Sequence, residues 1–135
     1  MRTHERACGD VVVLDLLGAL APRAVDVGLW ELIRDLSRRG HHKVVLNLAK
    51  ATGTNPFGLS TLLGAMLAAR QAGGDIKLLH ATGSVDDLQF LVALYDYFEV
   101  FEDEREAVRS FRAGSVPLAA AVSLRADAAR EVAVA

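Results

Sequence analysis

The sequence predicts an α/β domain with a four- to five-stranded, mostly parallel sheet covered by about four helices, and three observations carry that prediction. Short runs of β-branched and leucine residues alternate with longer stretches. In those longer stretches the apolar residues recur every three or four positions, as on one face of a helix. Glycines stand where the stretches end, as a helix C-terminus favours.

Val11 to Leu17, interrupted only by Asp15, reads as a strand buried on both faces and ends at Gly18. Thr3 to Ala7 is a candidate antiparallel edge strand before it. Ala24 to Arg39 follows helical periodicity, with Val25, Leu29, Leu32, Ile33 and Leu36 on one stripe and Gly40 as the C-terminal cap. Trp30 lies at the flank of that stripe, a position that covers a core edge more readily than it anchors a partner.

Lys43 to Leu48 is the next core strand. Gly58 to Ala72 is a second helix with the stripe Leu59, Leu62, Leu63 and Met66, closed by Gly73 and Gly74. Asp75 to His80 forms a third strand. Ser84 followed by Asp87 gives a capping-box signature for a helix whose apolar stripe is Leu88, Leu91, Val92 and Tyr95. A short strand at Glu99 to Phe101 follows, then a helix capped by Asp103 and Glu106 that turns Ala107, Val108 and Phe111 inward. The organisation expected is a domain over 1–112 and an alanine-rich tail over 113–135, broken at Pro117 and poor in large core residues.

Composition narrows the function classes. A chain of 135 residues fits one core, and 52% hydrophobic against 24% charged residues argues for a folded body. A formal net charge of -2, from 15 basic and 17 acidic residues, supplies no broad positive field for nucleic acid. Cys8 is the single cysteine, which rules out an internal disulfide or a multi-cysteine zinc site and fits a reducing cytoplasm. Met1 to Asp10 has no apolar signal core and no run reaches membrane-spanning length, so no direct membrane insertion is expected.

Candidate chemistry centres on the loop Gly53-Thr54-Asn55-Pro56-Phe57-Gly58-Leu59-Ser60, between a strand and a helix, where backbone amides and the helix dipole favour an anion. Gly53 and Gly58 have half the spacing of a phosphate-binding loop, but Leu59 occupies the place of the required lysine. His4, His41, His42 and His80 are scattered and lack metal-ligand spacing. Asp86 and Asp87 complement a helix N-terminus. Glu102, Asp103, Glu104 and Glu106 beside Arg105 and Arg109 read as a solvated face with local ion pairs. No catalytic residue, metal or cofactor is expected, and the chain reads as non-enzymatic.

The stretches GDVVVLDLLGAL, HHKVVLNLAK, GLSTLLGAMLAARQAGGDIKLLHATGSVDDLQFLVAL and FEVFEDEREAVRSF, within about residues 8–112, resemble the STAS family of sulfate-transporter and anti-sigma factor antagonist domains. The resemblance implies a cytoplasmic bacterial regulator that binds an anti-sigma factor kinase or related regulatory protein and so affects transcription without touching DNA. In the family the loop before the second helix usually reads Asp-Ser-Ser-Gly, and its second serine is phosphorylated to break the complex.

The matching positions here are Asn55, Pro56, Phe57 and Gly58, so Phe57 stands at a degenerate phosphoacceptor position. The resemblance makes Thr54, Asn55, Pro56, Phe57, Gly58, Ser60 and Thr61 the expected partner-binding residues. Phe57 either anchors a partner or folds inward beneath the second helix. Thr54 is the best substitute phosphoacceptor, because Ser60 and Thr61 fall inside the first helical turn. Two alternatives share the resemblance: a scaffold subunit that forms homo-oligomers or stressosome-like assemblies, and a transporter-associated subunit.

Overall fold

A computed structural model describes residues 2–20, 25, 27–52, 56–81 and 88–113. The elements in order are β1 (Arg2–Cys8), β2 (Val11–Ala19), α1 (Gly28–Arg38), β3 (Lys43–Thr52), α2 (Pro56–Gln71), β4 (Asp75–Leu79), α3 (Leu88–Tyr97), β5 (Val100–Phe101) and α4 (Glu104–Ala113). The strands form one sheet in the order β1-β2-β3-β4-β5, with β1 antiparallel to β2 and the other pairs parallel. The expected α/β sheet and its antiparallel edge are therefore present.

Alternation along the strands builds two cores. Val12, Leu14 and Leu16 of β2, Val44, Leu46 and Leu48 of β3, and Ile76 and Leu78 of β4 face the larger one. Leu29, Ile33 and Leu36 of α1, Leu62, Ala65 and Met66 of α2, and Phe90 and Leu94 of α3 cover it. Crossovers of a single hand place these three helices on the same side of a sheet whose strands run in sequence order. The opposite face carries a smaller cluster of Val11, Val13, Val45 and Leu79, covered by Ala107, Val108 and Phe111 of α4.

Element ends follow local chemistry. Gly40 adopts φ 87° and Gly73 φ 83°. The amide of His41 donates to Leu36 and that of Gly40 to Ser37, and the same pattern recurs from Gly74 to Ala69 and Gly73 to Arg70. Both helices thus close with the paired bonds that a left-handed residue permits. Asp103 Oδ1 accepts from the amides of Arg105 (2.8 Å) and Glu106 (3.3 Å), the N-cap expected from sequence.

Several boundaries differ from expectation. α1 begins at Gly28 with Val27 as N-cap rather than at Ala24; residues 24 and 26 lie outside the described residues. α2 begins two residues early, because proline suits the first helical position, where no amide bond is lost. β3 runs on to Thr52 past an irregularity: Asp15 pairs with Asn47, whereas Leu17 pairs with Lys50. Asn47 accommodates that bulge by accepting from the Ala49 amide at 3.1 Å.

The stripe expected on α3 is corrected. Phe90 and Leu94 face the core, while Leu88, Val92 and Tyr95 are exposed and Leu91 is half-buried. Because α3 is apolar nearly all round, periodicity offered two stripes and the sheet selected the other one. The Ser84 to Asp87 capping box and the tail beyond Ala113 lie outside the described residues.

Candidate partner-binding face

The end of β3 delivers the chain to the N-terminus of α2, at the carboxyl edge of the parallel strands where open α/β sheets place their functional groups. Gly53, Thr54 and Asn55 lie outside the described residues. Of the other expected contact residues, Pro56, Phe57 and Ser60 are exposed and Gly58 is buried. Phe57 is 47% exposed in the first turn of α2, so its ring turns outward and does not fill space beneath the helix. Thr61 is fully buried, which removes it from any surface.

Helical spacing places Phe57, Ser60, Leu67 and Gln71 on one exposed side of α2, with half-buried Gly64 between them. Leu67 is 54% exposed, and the only charged residue on the helix is Arg70 in its last turn. The result is an apolar helix face with two large side chains separated by small ones.

α1 fixes this helix in place. Trp30 Nε1 donates to the Thr61 carbonyl at 2.6 Å. A Cβ on Gly64 would lie 2.0 Å from Trp30 Cε2, so only glycine admits the indole there. Trp30 is half-buried against the larger core and packs its edge, as its flanking position suggested. The signal for this contact was a glycine in mid-helix, where it costs about 1 kcal/mol against alanine and calls for a packing reason.

The opposite face holds polar groups that the sequence reading passed over. Arg6 donates to Asp15 through Nε (2.7 Å) and Nη2 (3.0 Å), and it also pairs with Glu104. Asn47 Nδ2 donates to Asp15 at 2.8 Å, and His4 Nδ1 lies 3.4 Å from the same carboxylate. Burial alone would raise the Asp15 pKa, but hydrogen bonds from Arg6, Asn47 and His4 overcome it and hold the group at about 2. Those same two carboxylates raise the Arg6 guanidinium further. Glu104 therefore belongs to an ion pair between β1 and α4, not to a wholly solvated acidic face.

A cleft of about 290 Å³ opens beside this cluster, lined by His4, Arg6, Asp15, Asn47, Ala49 and Lys50 among others. Its central charges are matched within the fold. The available signal was Asp15 interrupting an apolar run.

Lys77 is a second internal pin. It is buried on β4, pairs with Glu99 at 2.9 Å, donates to Ser110 Oγ at 2.6 Å and lies 4.4 Å from the Phe111 ring centre. His80, at φ 57°, ends β4 with Nδ1 3.6 Å from Glu102. Among the described residues no group of three or more His, Cys, Asp or Glu is placed to hold a metal ion, and no helix is long and apolar enough to cross a membrane.

An antiparallel edge strand, three parallel crossovers on one face and a single helix on the other define the STAS fold, and this chain has it. The anti-sigma factor antagonist SpoIIAA in its unphosphorylated form matches with a TM-score of 0.57 at 19% identity, covering 82% of this chain and 98% of SpoIIAA. TM1081 of Thermotoga maritima, assigned provisionally to the same class, matches with a TM-score of 0.58 at 18% identity over 82% of this chain and 94% of its own. The phosphorylated form of SpoIIAA, described as a Bacillus cell fate determinant, matches with a TM-score of 0.54 at 18% identity, covering 82% and 99%. No family model matches the chain. No curated protein matches it in sequence.

Proposed function

We propose that this protein is a non-enzymatic anti-sigma factor antagonist of the bacterial cytoplasm that docks an anti-sigma factor kinase, or a related regulatory protein, through the first turns of α2. The observation that carries the proposal is the outward Phe57 at the head of α2, on a fold shared with SpoIIAA. An exposed aromatic beside exposed Pro56 and Ser60 is the composition of a binding anchor. Phe57 also has no hydroxyl to phosphorylate. On this reading the complex lacks the charge-based release that a phosphate of about -1.5 to -2 would provide there.

The test mixes the full chain with an anti-sigma factor kinase from the same host and ATP, read by gel filtration and intact mass. A stable complex without phosphate is expected. Phe57→Ala should weaken it about tenfold, as loss of an aromatic anchor does, and Phe57→Ser should gain phosphate and dissociate. Phosphate on Thr54 or Ser60 of the unaltered chain would overturn the unswitched reading. Failure to bind any such kinase, with a concentration-dependent oligomer in its place, would replace antagonist with scaffold.

A further inference from the structure

On the sheet face that α4 covers, the apolar contact stops partway along the strands. Ala107, Val108 and Phe111 pack on Val11, Val13 and Val45. Asp15 and Leu17 of β2, with Asn47, Ala49 and Lys50 of β3, lie further toward the carboxyl ends and line the cleft of about 290 Å³. The carboxyl ends of parallel strands are where open α/β sheets hold ligands, and the volume sits near the small end of ligand pockets, about 300–1,000 Å³.

Strand pairing sorts the lining into two rows. In the first, His4, Asp15 and Asn47 stand side by side across β1, β2 and β3. Its acceptors are engaged within the fold: the Asp15 carboxylate takes Arg6 and Asn47, and Asn47 Oδ1 takes the Ala49 amide. The second row is Arg2, Leu17 and Lys50 across the same strands. Residues paired in this way turn their side chains to one face, with neighbouring strands about 5 Å apart. Leu17 is half-buried, and Arg2 and Lys50 on either side of it are exposed. Among the described residues neither of these two cations forms an ion pair. The charge count of the site is then short of one anion, because Arg2, Arg6 and Lys50 face only Asp15 and Glu104.

We infer that this cleft binds a small monoanionic organic acid, its apolar body on Leu17 and Ala49 and its carboxylate between Lys50 and Arg2. The lining selects that chemistry. A leucine set between two unpaired cations offers apolar contact and positive charge to the same molecule, and a carboxylate supplies the acceptors that these donors lack. A neutral ligand leaves the cations unmatched. A cation meets Arg2 and Lys50 with like charge, since the Asp15 carboxylate is already held by Arg6 and Asn47. A single negative charge balances the site. This inference stands apart from the α2 reading, because it uses the opposite face of the sheet and no residue of that helix.

The test titrates the isotope-labelled full chain with phenylacetate, and separately with phenylacetamide and with acetate, followed by amide NMR shifts. Phenylacetate should move the amides of Leu17, Ala49 and Lys50 saturably, with a Kd of about 1 mM or tighter, a strength ordinary for a ligand of this size. Phenylacetamide, which keeps the ring without the charge, and acetate, which keeps the charge without the ring, should each bind at least ~10-fold more weakly if both halves of the site contribute. Lys50→Gln and Arg2→Gln should each weaken phenylacetate about threefold, as loss of one member of an exposed ion pair does, while Lys50→Arg should restore it. Phe57→Ala should leave it unchanged. All these sites are exposed, and circular dichroism checks the fold of each variant. No saturable binding, equal binding of phenylacetamide, shifts confined to α2, or full binding by Lys50→Gln and Arg2→Gln would overturn the inference.

Discussion

On one face of the sheet α1, α2 and α3 seal a large core made of apolar contacts, while on the other α4 alone covers a small apolar cluster and is tied down by polar pins at both ends. Arg6 joins β1 to Glu104 at the start of α4, and Lys77 joins β4 to Ser110 near its end. β3 shows the division within three residues: Leu46 points to the large core, Val45 to the small cluster, and Asn47 to the Asp15 carboxylate. The difference teaches where energy and where geometry come from. Apolar burial is large and non-directional, whereas charged hydrogen bonds add less net energy but fix one position for a helix.

Cutting into the large core should have the greatest effect. Leu46→Ala removes a fully buried side chain and should cost about 2–5 kcal/mol in denaturant unfolding, by lost transfer energy plus a cavity. The Val45→Ala loss should be smaller, and an equal loss would break the contrast between the two faces. Gly64→Ala comes next. Its Cβ meets the rigid Trp30 indole rather than a flexible side-chain end, so overpacking should cost about 1–3 kcal/mol and shift Trp30 fluorescence.

The polar face should respond least and through pH. Asp15 has a folded pKa of about 2, below the ordinary aspartate value of 3.8. Its contribution is therefore complete above about pH 4 and is withdrawn as pH falls towards 2, an effect on the order of 1–2 kcal/mol. Unfolding measured at pH 5 and pH 2.5 should show that loss, and Arg6→Met should both destabilise the protein and flatten the dependence.

Much of this architecture was written in local chemistry. The β2 run from Val11, the glycines closing α1 and α2, and the Asp103 cap each depend on residues close in the chain, so they were legible. The buried face of α3 was not, because Leu88-Gln89-Phe90-Leu91-Val92-Ala93-Leu94-Tyr95 is apolar on more than one face and only the sheet decides which is buried. Asp15 announced itself by interrupting an apolar strand, yet its partners Arg6 and Asn47 come from other strands and were invisible until the strands paired. At the candidate site, Phe57 was found by its position, but its outward orientation and the burial of Thr61 follow from how α2 sits on the sheet.

The indole of Trp30, wedged where Gly64 lacks a side chain, also gives the molecule its own optical probe. It is the sole tryptophan, and it touches the backbone of α2 within two turns of Phe57. A partner that grips α2 should change the emission of this one ring. Docking at α2 can thus be followed in the unlabelled protein.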